Sequence, residues 1–462
     1  MGAKKRKTIK RIIYYILAVI LFLIVTPTVI LWAFGFRINL QNHKISQTGI
    51  LLVKTNEAGF DIFINDKKAF INKTTGTVKG LLPNDYLVTI KKDGFIPWSK
   101  TITIEPQKIT HKDYIVLFPN NLKPEKDFAD ITEYILTPDK SAIIGVNNEK
   151  NKVEKIDITN KKVVGEAKVP NIESFDPSNN GSKILVKQGS PENKFIIVDF
   201  DKNGAINEVS SDLDNLNQIA WLPNNNQILF LIYNESLYNA NVSDNPMAFN
   251  LLKANVLNFK FANNQIFYLQ KNDIGNNQQK TLSLWQANLA FNNPQELIKE
   301  IPSTSYQIIP SPDGQKIILK ENSKGIIYRV QNQKLEEFNE GIKDVVWDSA
   351  GQKFLSYSDY EIWLTEIKGN TANTSLVNRY SETIDNLTWY PDDYHLIFTL
   401  GGNKLEVAEE EKGDNLTEIS SFTAQNQNVS LITSRQTITI FFLNKKGTDS
   451  VPGLYNLNLK NP

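Results

Sequence analysis

Residues 308–319 read IIPSPDGQKIIL, a short apolar run, a Pro-Asp-Gly turn and a second apolar run. Proline presets φ for a turn, and Asp and Gly accept the remaining turn conformations, so the stretch predicts two strands with a tight connection. Related stretches return as TPDKSAII near residue 137, LPNNNQILF near 222 and YPDDYHLIF near 390. A recurring unit of this kind predicts a repeat architecture.

The interval between the turns indicates which architecture. Aligned on the position of Pro312, the anchor residues are Pro138, Pro177, Pro223, Asn263, Pro312, Ser349, Pro391 and Thr433. By subtraction the spacings are 39, 46, 40, 49, 37, 42 and 42 residues, close to the period of a four-stranded propeller blade. Two residues before the anchors stand Leu136, Phe175, Trp221, Phe261, Pro310, Trp347, Trp389 and Leu431. All but Pro310 are large and apolar, as an innermost blade strand requires.

These repeats predict an all-β chain in which residues 122–462 form an eight-bladed β-propeller, or a seven-bladed one if a unit is misread. The last unit ends soon after its third strand, at Leu457–Lys460. A ring that stopped there would leave an unpaired strand edge. We therefore expect the segment around Asp127–Thr132 to supply the outer strand of the last blade.

The region from about residue 125 to 462 resembles the WD-like propeller repeats of bacterial periplasmic proteins, such as the propeller partner of the Tol system. It is also similar to the propeller of the prolyl oligopeptidase family. Pro138-Asp139, Pro312-Asp313-Gly314 and Pro391-Asp392 carry the similarity. The fourth and eighth units depart from it because they lack the proline.

Residues 49–118 predict a small β-sandwich, with alternating strands and turns at Asn65-Asp66-Lys67 and Lys92-Asp93-Gly94. The stretch resembles the PEGA domain of bacterial and archaeal surface proteins in four features: the apolar strand leading to Thr55, Ala58-Gly59 before FDIFIND, Leu82-Pro83 before Tyr86, and Gly94-Phe95 before Trp98. It departs from that pattern at Asn56-Glu57 and at Asp85, which should alter turns rather than the fold. The resemblance implies surface display and contact with envelope polymers, and no catalysis.

The amino terminus predicts a membrane anchor. Residues 1–11 hold six basic residues, and the uncharged apolar run from Ile12 to Phe34 would span roughly 34 Å as a helix. Because positive charge stays on the cytoplasmic side, the bulk of the chain should be extracytoplasmic. We predict a cytoplasmic tail (1–11), a single transmembrane anchor (12–36) in the cell membrane and an irregular polar stalk (37–48). A cleaved signal peptide is the alternative.

Composition restricts the chemistry. A formal net charge of +1 gives no global attraction to nucleic acid, and the absence of cysteine excludes disulfides and thiolate ligands. Only three histidines occur, and neither a Gly-x-Ser-x-Gly elbow nor a His-Glu-x-x-His motif is present. We predict no catalytic residue, no cofactor and no metal site.

Four features have both a functional and a structural interpretation. We interpret His395 as a packing or surface residue, Asp201–Gly204 as a hairpin turn rather than a calcium loop, and Glu409–Glu411 as a solvated loop. Trp221, Trp347 and Trp389 share one repeat position, so we interpret them as core residues rather than sugar-stacking platforms.

The favoured function is a membrane-tethered extracytoplasmic binding or scaffolding protein, whose propeller binds a protein, peptide or envelope polysaccharide. One alternative is a propeller enzyme that uses paired carboxylates on envelope glycans. Another is an envelope sensor or assembly factor. The sequence predicts neither the binding residues nor the partner nor the oligomeric state.

Overall fold

The computed structural model describes residues 2–39, 44–69, 76–120, 122–210, 215–244, 246–272, 281–301, 305–331, 333–338, 341–411, 416–421, 429–433, 438–444 and 451–459. The chain divides into two compact units, residues 1–121 (unit 1) and residues 122–461 (unit 2).

Unit 1 opens with helix α1, Gly2–Ala33, in which the apolar segment Ile12–Ala33 is long enough to cross a bilayer and is not covered by other parts of the chain. A membrane anchor and a signal sequence both have these properties. Strands β1 (Phe36–Asn39) and β2 (Lys44–Gln47) then pair as an antiparallel hairpin. The expectation of an irregular stalk was therefore wrong: this polar segment has a strand on either side of residues 40–43.

The rest of unit 1 consists of two sheets around one core. Its strands are β3 Gly49–Thr55, β4 Asp61–Ile64, β5 Lys67–Lys68, β6 Thr77–Leu81, β7 Asn84–Lys91, β8 Trp98–Ile104 and β9 Ile109–Ile115. They pair in the orders β6-β3-β9 and β5-β4-β7-β8. Burial alternates along the whole of β8, and Leu51 and Val53 of the first sheet share a core cluster with Trp98 and Ile102 of the second. The period-two pattern thus directs one face of each sheet into a common core.

Unit 2 contains eight four-stranded antiparallel sheets in its described part, each resembling a propeller blade. Sheet 1 has β11 Glu133–Leu136, β12 Ala142–Asn147, β13 Lys152–Asp157 and β14 Lys162–Lys168; sheet 2 has β15 Ile172–Pro177, β16 Lys183–Gln188, β17 Phe195–Asp199 and β18 Ala205–Ser210, with a short 3-10 helix, Phe200–Lys202, between the last two. Sheet 3 has β19 Leu216–Trp221, β20 Ile228–Tyr233, β21 Ser236–Asn241 and β22 Phe249–Ala254; sheet 4 has β23 Val256–Ala262, β24 Gln265–Lys271, β25 Leu282–Asn288 and β26 Gln295–Ile301.

The second half repeats the arrangement. Sheet 5 has β27 Gln307–Pro310, β28 Lys316–Glu321, β29 Lys324–Arg329 and β30 Lys334–Phe338; sheet 6 has β31 Asp344–Trp347, β32 Lys353–Tyr357, β33 Glu361–Lys368 and β34 Thr371–Arg379. Sheet 7 has β35 Ile384–Trp389, β36 His395–Leu400, β37 Lys404–Glu409 and β38 Thr417–Ser421; sheet 8 joins β39 Val429–Thr433, β40 Ile438–Asn444 and β41 Gly453–Asn458 to β10 Glu125–Phe128.

Neighbouring sheets pack through shared apolar clusters. Six clusters join sheet 1 to sheet 2 and so on in chain order as far as sheet 7, and a seventh joins sheet 1 to sheet 8. In the last of these, the Tyr134 hydroxyl donates to the carbonyl oxygen of Phe441 and accepts from the Ser430 amide. Several first strands also contact the first strand of the next sheet, among them β11 with β15 and β31 with β35. The first strands are therefore the inner strands of the assembly.

The closure predicted from the sequence is confirmed. Strand β10 pairs antiparallel with β41, placing Glu125 opposite Asn456 and Phe128 opposite Leu454, and the Asn456 side chain donates to Asp127 at 2.7 Å. Gly453 permits this approach, because a Cβ there would lie 2.7 Å from the carbonyl oxygen of Phe128. The first strand of unit 2 thus completes its last sheet and covers the edge of β41.

One part of the repeat alignment was wrong. In sheet 2 the turn bond runs from Ser178 N to Lys183 O, as it runs from Thr137 N to Ala142 O in sheet 1. Asn179 is therefore the structural equivalent of Pro138, and Pro177 is the last residue of a strand. The alignment slipped by two residues because proline is tolerated at a strand end as well as in a turn.

Candidate interaction surface

The two ends of each sheet in unit 2 differ in their connections. At one end, which we call the turn end, the first strand turns directly into the second through short Pro-Asp-Gly-like turns, and the third strand connects to the fourth. At the opposite end, the loop end, the second strand connects to the third and the fourth strand leads to the next sheet. Some loop-end connections are long, such as residues 272–281 between β24 and β25. Long loops on a rigid scaffold are where binding residues concentrate.

The turn end is locked by hydrogen bonds within and between turns. The Asp313 carboxylate accepts from the Gln315 amide at 3.0 Å and from the Ser311 hydroxyl, and Asp139 binds Ser141 and Thr137 in the same way. Successive turns also join: Asp139 N donates to Asn179 O, Asn180 N to Asn226 Oδ1, Asn263 Nδ2 to Asp313 O and Ser349 N to Asp393 Oδ1. These carboxylates hold the scaffold together.

The pKa shifts support this interpretation. Burial alone would raise the pKa of Asp313, but hydrogen bonds from Ser311, Gln315 and Lys316 outweigh it and hold the pKa below its usual value. The same balance, with bonds from Ser141 and Thr137, lowers the pKa of Asp139. Both groups are stabilised as carboxylates, which suits fixed acceptors better than general acids.

His395 lies in the same kind of turn and is buried. Its Nδ1 is 2.6 Å from Asp392 Oδ2, and the rings of Tyr390 and Tyr394 pack edge-on against the imidazole. Sheet 5 has Lys316 at the equivalent position, with its ammonium 3.1 Å from Asp313. His395 therefore takes the place of the cation that pairs with the turn carboxylate, as the packing interpretation predicted.

The three repeat tryptophans bridge neighbouring sheets. The indole Nε1 of Trp221 donates to Asp176 O at 3.0 Å, that of Trp347 to Ile309 O at 3.3 Å, and that of Trp389 to Val346 O at 3.1 Å. Trp221 and Trp389 are buried, and Trp347 is half-buried against Phe354. The prediction that they are core residues is confirmed.

The other two interpretations have different outcomes. Asp201–Gly204 lies in the connection between antiparallel strands β17 and β18, with Asn203 left-handed at φ 53°, so the hairpin interpretation is confirmed. The solvated-loop interpretation of Glu409–Glu411 was wrong. Glu409 belongs to β37 and is 2 % exposed, while Glu410 forms an ion pair with Lys353. Pairing with His395 of β36 extends strand β37 as far as Glu409, the first of the three acidic residues.

The titratable group best suited to acid–base chemistry is Glu406 in β37. Burial raises its pKa to about 7, assisted by the nearby Glu418 and Glu382 and opposed by Lys404. However, the side chain is 3 % exposed and lies in the third strand, away from the inner strands. In the part of the chain that the structure describes, no three His, Asp or Glu side chains are grouped as metal ligands.

Among the described residues of the loop end, one aromatic side chain is exposed. Tyr360, in the connection between β32 and β33, is 49 % exposed, more than any other aromatic residue of unit 2 in the described ranges. Its backbone is held in place, because Tyr380 N donates to Tyr360 O and Ile384 N donates to Asp359 O, both at 2.8 Å. The ring is thus presented on a fixed turn at the boundary between sheets 6 and 7.

Charged groups surround this turn. Lys343 Nζ lies 2.5 Å from Asp385 and 3.3 Å from Asp359. Both contacts raise the pKa of Lys343, and the one with Asp385 has the larger effect. Arg379 lies 2.5 Å from Glu361 on the adjoining strand. We call Tyr360 with these five charged residues the Tyr360 patch. It combines an exposed amphipathic ring with two sets of paired charges.

Sequence reasoning missed the Tyr360 patch. The signal available was the turn Ser358-Asp359-Tyr360, where the equivalent connection of sheet 3 has Asn234-Glu235. Turn positions favour small polar residues, so packing does not account for an aromatic residue in this turn. Its exposure, however, depends on a register that only the structure gives.

Residues 48–117 match the family model described as the PEGA domain, which confirms the resemblance found at residues 49–118. No curated protein matches the chain.

Solved structures similar to the chain include β-propellers. The crystal structure of Saccharomyces cerevisiae Sqt1 is 12% identical with a TM-score of 0.49, covering 75% of this chain and 100% of that one. The Myceliophteria thermophila Cps50 (Swd1) beta-propeller domain is 10% identical with a TM-score of 0.42, covering 74% and 99%. A eukaryotic initiation factor structure is 12% identical with a TM-score of 0.47, covering 71% and 88%.

Proposed function

We propose that the chain is a membrane-tethered, extracytoplasmic scaffold in which residues 122–462 form an eight-bladed propeller that binds a protein partner through the Tyr360 patch. The seven shared clusters link the eight sheets in one series, and the cluster and strand pairing that join the two ends of unit 2 at sheets 1 and 8 support a ring. The 22-residue apolar segment Ile12–Ala33 is long enough for a membrane span, and we take it as the anchor, with the basic residues before it on the cytoplasmic side.

The exposure of Tyr360 on a hydrogen-bonded turn carries this proposal. An aromatic ring with few rotatable bonds contributes contact area at low entropic cost, and the fixed turn removes the cost of ordering a loop. The flanking ion pairs would form the polar rim that orients a partner. A protein surface supplies both an apolar contact and complementary charges, so it fits the patch better than a polysaccharide.

The enzyme alternative has less support. The carboxylate with the most raised pKa, Glu406, is enclosed, and the turn-end carboxylates are committed to the backbone amides beside them. A glycan-cleaving site would need two accessible carboxylates across an open cleft.

The test is capture from a detergent-solubilised membrane extract with the full-length protein as bait. Tyr360→Ser should reduce retention of a discrete protein at least tenfold, since central aromatic anchors contribute about 2 kcal/mol or more. Leu335→Ser is the matched control, an exposed apolar residue on the outer strand of sheet 5. Equal retention by the wild type and both variants would show that the Tyr360 patch does not bind the partner.

A further inference from the structure

The end of α1 is hydrogen-bonded to the β-strands of unit 1, with no free linker between them. Gly35 N donates to Trp32 O, and Thr48 N donates to Gly35 O at 2.9 Å, so the base of the β1–β2 hairpin is bonded to the turn that ends the helix. Gln107 N then donates to Thr48 O, which connects the same residue to the turn before β9. Helix end, hairpin and sheets form one continuous hydrogen-bonded path.

Apolar side chains are exposed at this junction. Trp32 and Phe34 at the end of the helix are largely exposed, and Ile45 in β2 is 61 % exposed. Ile45 is three residues from Thr48, so it lies within about 10 Å of the helix end along an extended strand. Among the described residues, only Arg37 packs on one of these three side chains, at the Trp32 ring.

A cation is fixed beside Trp32. The Arg37 guanidinium lies 4.6 Å from the centre of the Trp32 ring, and its Nη1 donates to the carbonyl oxygens of Trp32 and Phe36 at 2.9 and 2.8 Å. The carbonyl groups of a helix C-terminus carry partial negative charge, which Arg37 neutralises. Arginine and tryptophan side by side suit a layer where apolar and charged groups meet.

The length of the apolar segment places this junction in such a layer. Ile12–Ala33 has 22 residues, about 33 Å as a helix, against a hydrocarbon core about 30 Å thick. If α1 spans the bilayer, Ala33 reaches the core boundary, and the next few residues lie in the headgroup region.

From these contacts we infer that Trp32, Phe34 and Ile45, with Arg37 stacked on Trp32, form a lipid-binding collar that seats in the phospholipid headgroup layer on the side of the folded units. The hairpin register puts Arg37 and Ile45 on opposite faces of the β1–β2 pair, so the hairpin would stand edge-on in that layer. This inference rests on the proposed anchor. It goes further by making the hairpin a second membrane contact, which fixes the tilt of unit 1 because helix and hairpin are joined by hydrogen bonds. Phosphate groups would meet Arg37, and the acyl boundary would meet the three apolar side chains.

Because the chain has no cysteine, single spin labels can be placed cleanly in the full-length protein. The protein would be reconstituted in nanodiscs of equal parts phosphatidylcholine and phosphatidylglycerol, with one label at Ile45→Cys, Leu21→Cys or Leu251→Cys. Leu251, on an outer strand of unit 2, is 60 % exposed and matches Ile45. The ratio of oxygen to nickel-chelate collision rates reports the depth of each label.

The collar predicts a ratio at Ile45 several-fold above that at Leu251, and a still higher ratio at Leu21 inside the span. A high ratio at Leu21 with equal ratios at Ile45 and Leu251 would overturn the collar and leave the anchor standing. Low ratios at all three positions would overturn the anchor and the collar together.

Discussion

The turn end and the loop end of unit 2 divide its work. At the turn end, carboxylates such as Asp139 and Asp313 accept hydrogen bonds from backbone amides, and several turns are hydrogen-bonded to the next one. At the loop end, ion pairs such as Lys343–Asp385 are partly exposed, and Tyr360 projects outward. The repeat that reveals the fold therefore comes from the turn end, whereas the exposed aromatic ring of Tyr360 lies at the loop end, outside the repeated motif.

The largest effect should follow from removing an indole that bridges two sheets. Trp389→Ala deletes a buried ring and its bond to Val346 O, and we expect a loss of about 3–5 kcal/mol in the free energy of unfolding. Denaturant unfolding followed by circular dichroism measures it. Tyr360→Ala is the control at the other end and should change stability by less than about 0.5 kcal/mol. Equal losses for both variants would remove the distinction between the ends.

The next largest effect should be on the pH dependence of stability, through Glu406 in sheet 7. The folded-state pKa of Glu406 is about 7, above its unfolded value, so the folded protein binds this proton more tightly. Its contribution is present below about pH 4 and is lost as pH rises through 7. After allowance for solvent screening, Glu406→Gln should remove roughly 1–2 kcal/mol of the stability difference between pH 5 and pH 8. An unchanged difference in melting temperature between these pH values would contradict this.

Turn carboxylates should have an effect of similar size. Asp313→Ala removes the acceptor for Ser311 and Gln315, and we expect a loss of about 1–2 kcal/mol. Because the folded-state pKa of Asp313 is lowered, its contribution is present above about pH 4 and disappears as pH falls through the folded pKa. Denaturation at pH 7 and pH 3 measures both statements. A loss at pH 3 as large as that at pH 7 would show that the charge is irrelevant.

The smallest effect should come from the ion pairs of the loop end. Lys343→Ala breaks partly exposed contacts with Asp385 and Asp359, which are worth less than about 1 kcal/mol and are screened by salt. Unfolding in low and high salt measures the loss, which should shrink as salt is added. A salt-independent loss above about 2 kcal/mol would place Lys343 with the structural residues of the turn end.

Much of this fold could be predicted from the sequence, because its strongest signals are local. Each Pro-Asp-Gly-like turn is set by the φ preferences of its own residues, and large side chains such as Trp221 and Trp389 mark the inner strands. The pairing of β10 with the last sheet could be predicted because the edge of β41 would otherwise be unpaired.

The errors share a different origin. The sequence around Pro177 matches the turn motif. The hydrogen bonds, however, place the turn two residues later, at Asn179. Glu409 looked solvated because it stands in a run of three acids, but cross-strand register buries it beside His395. Tyr360 could not be found in advance for the same reason, because exposure follows from register and neighbouring sheets rather than from residue type.

The β10–β41 pairing also has a mechanical meaning. Glu125 is the first residue of β10 and follows directly from the segment that leaves unit 1, so tension applied through unit 1 reaches β10 before any other strand of unit 2. The load is borne by the bonds that hold sheet 8 closed, including Asn456 to Asp127. Sustained pulling should therefore break the β10–β41 pairing before the strand pairings within sheets 1 to 7.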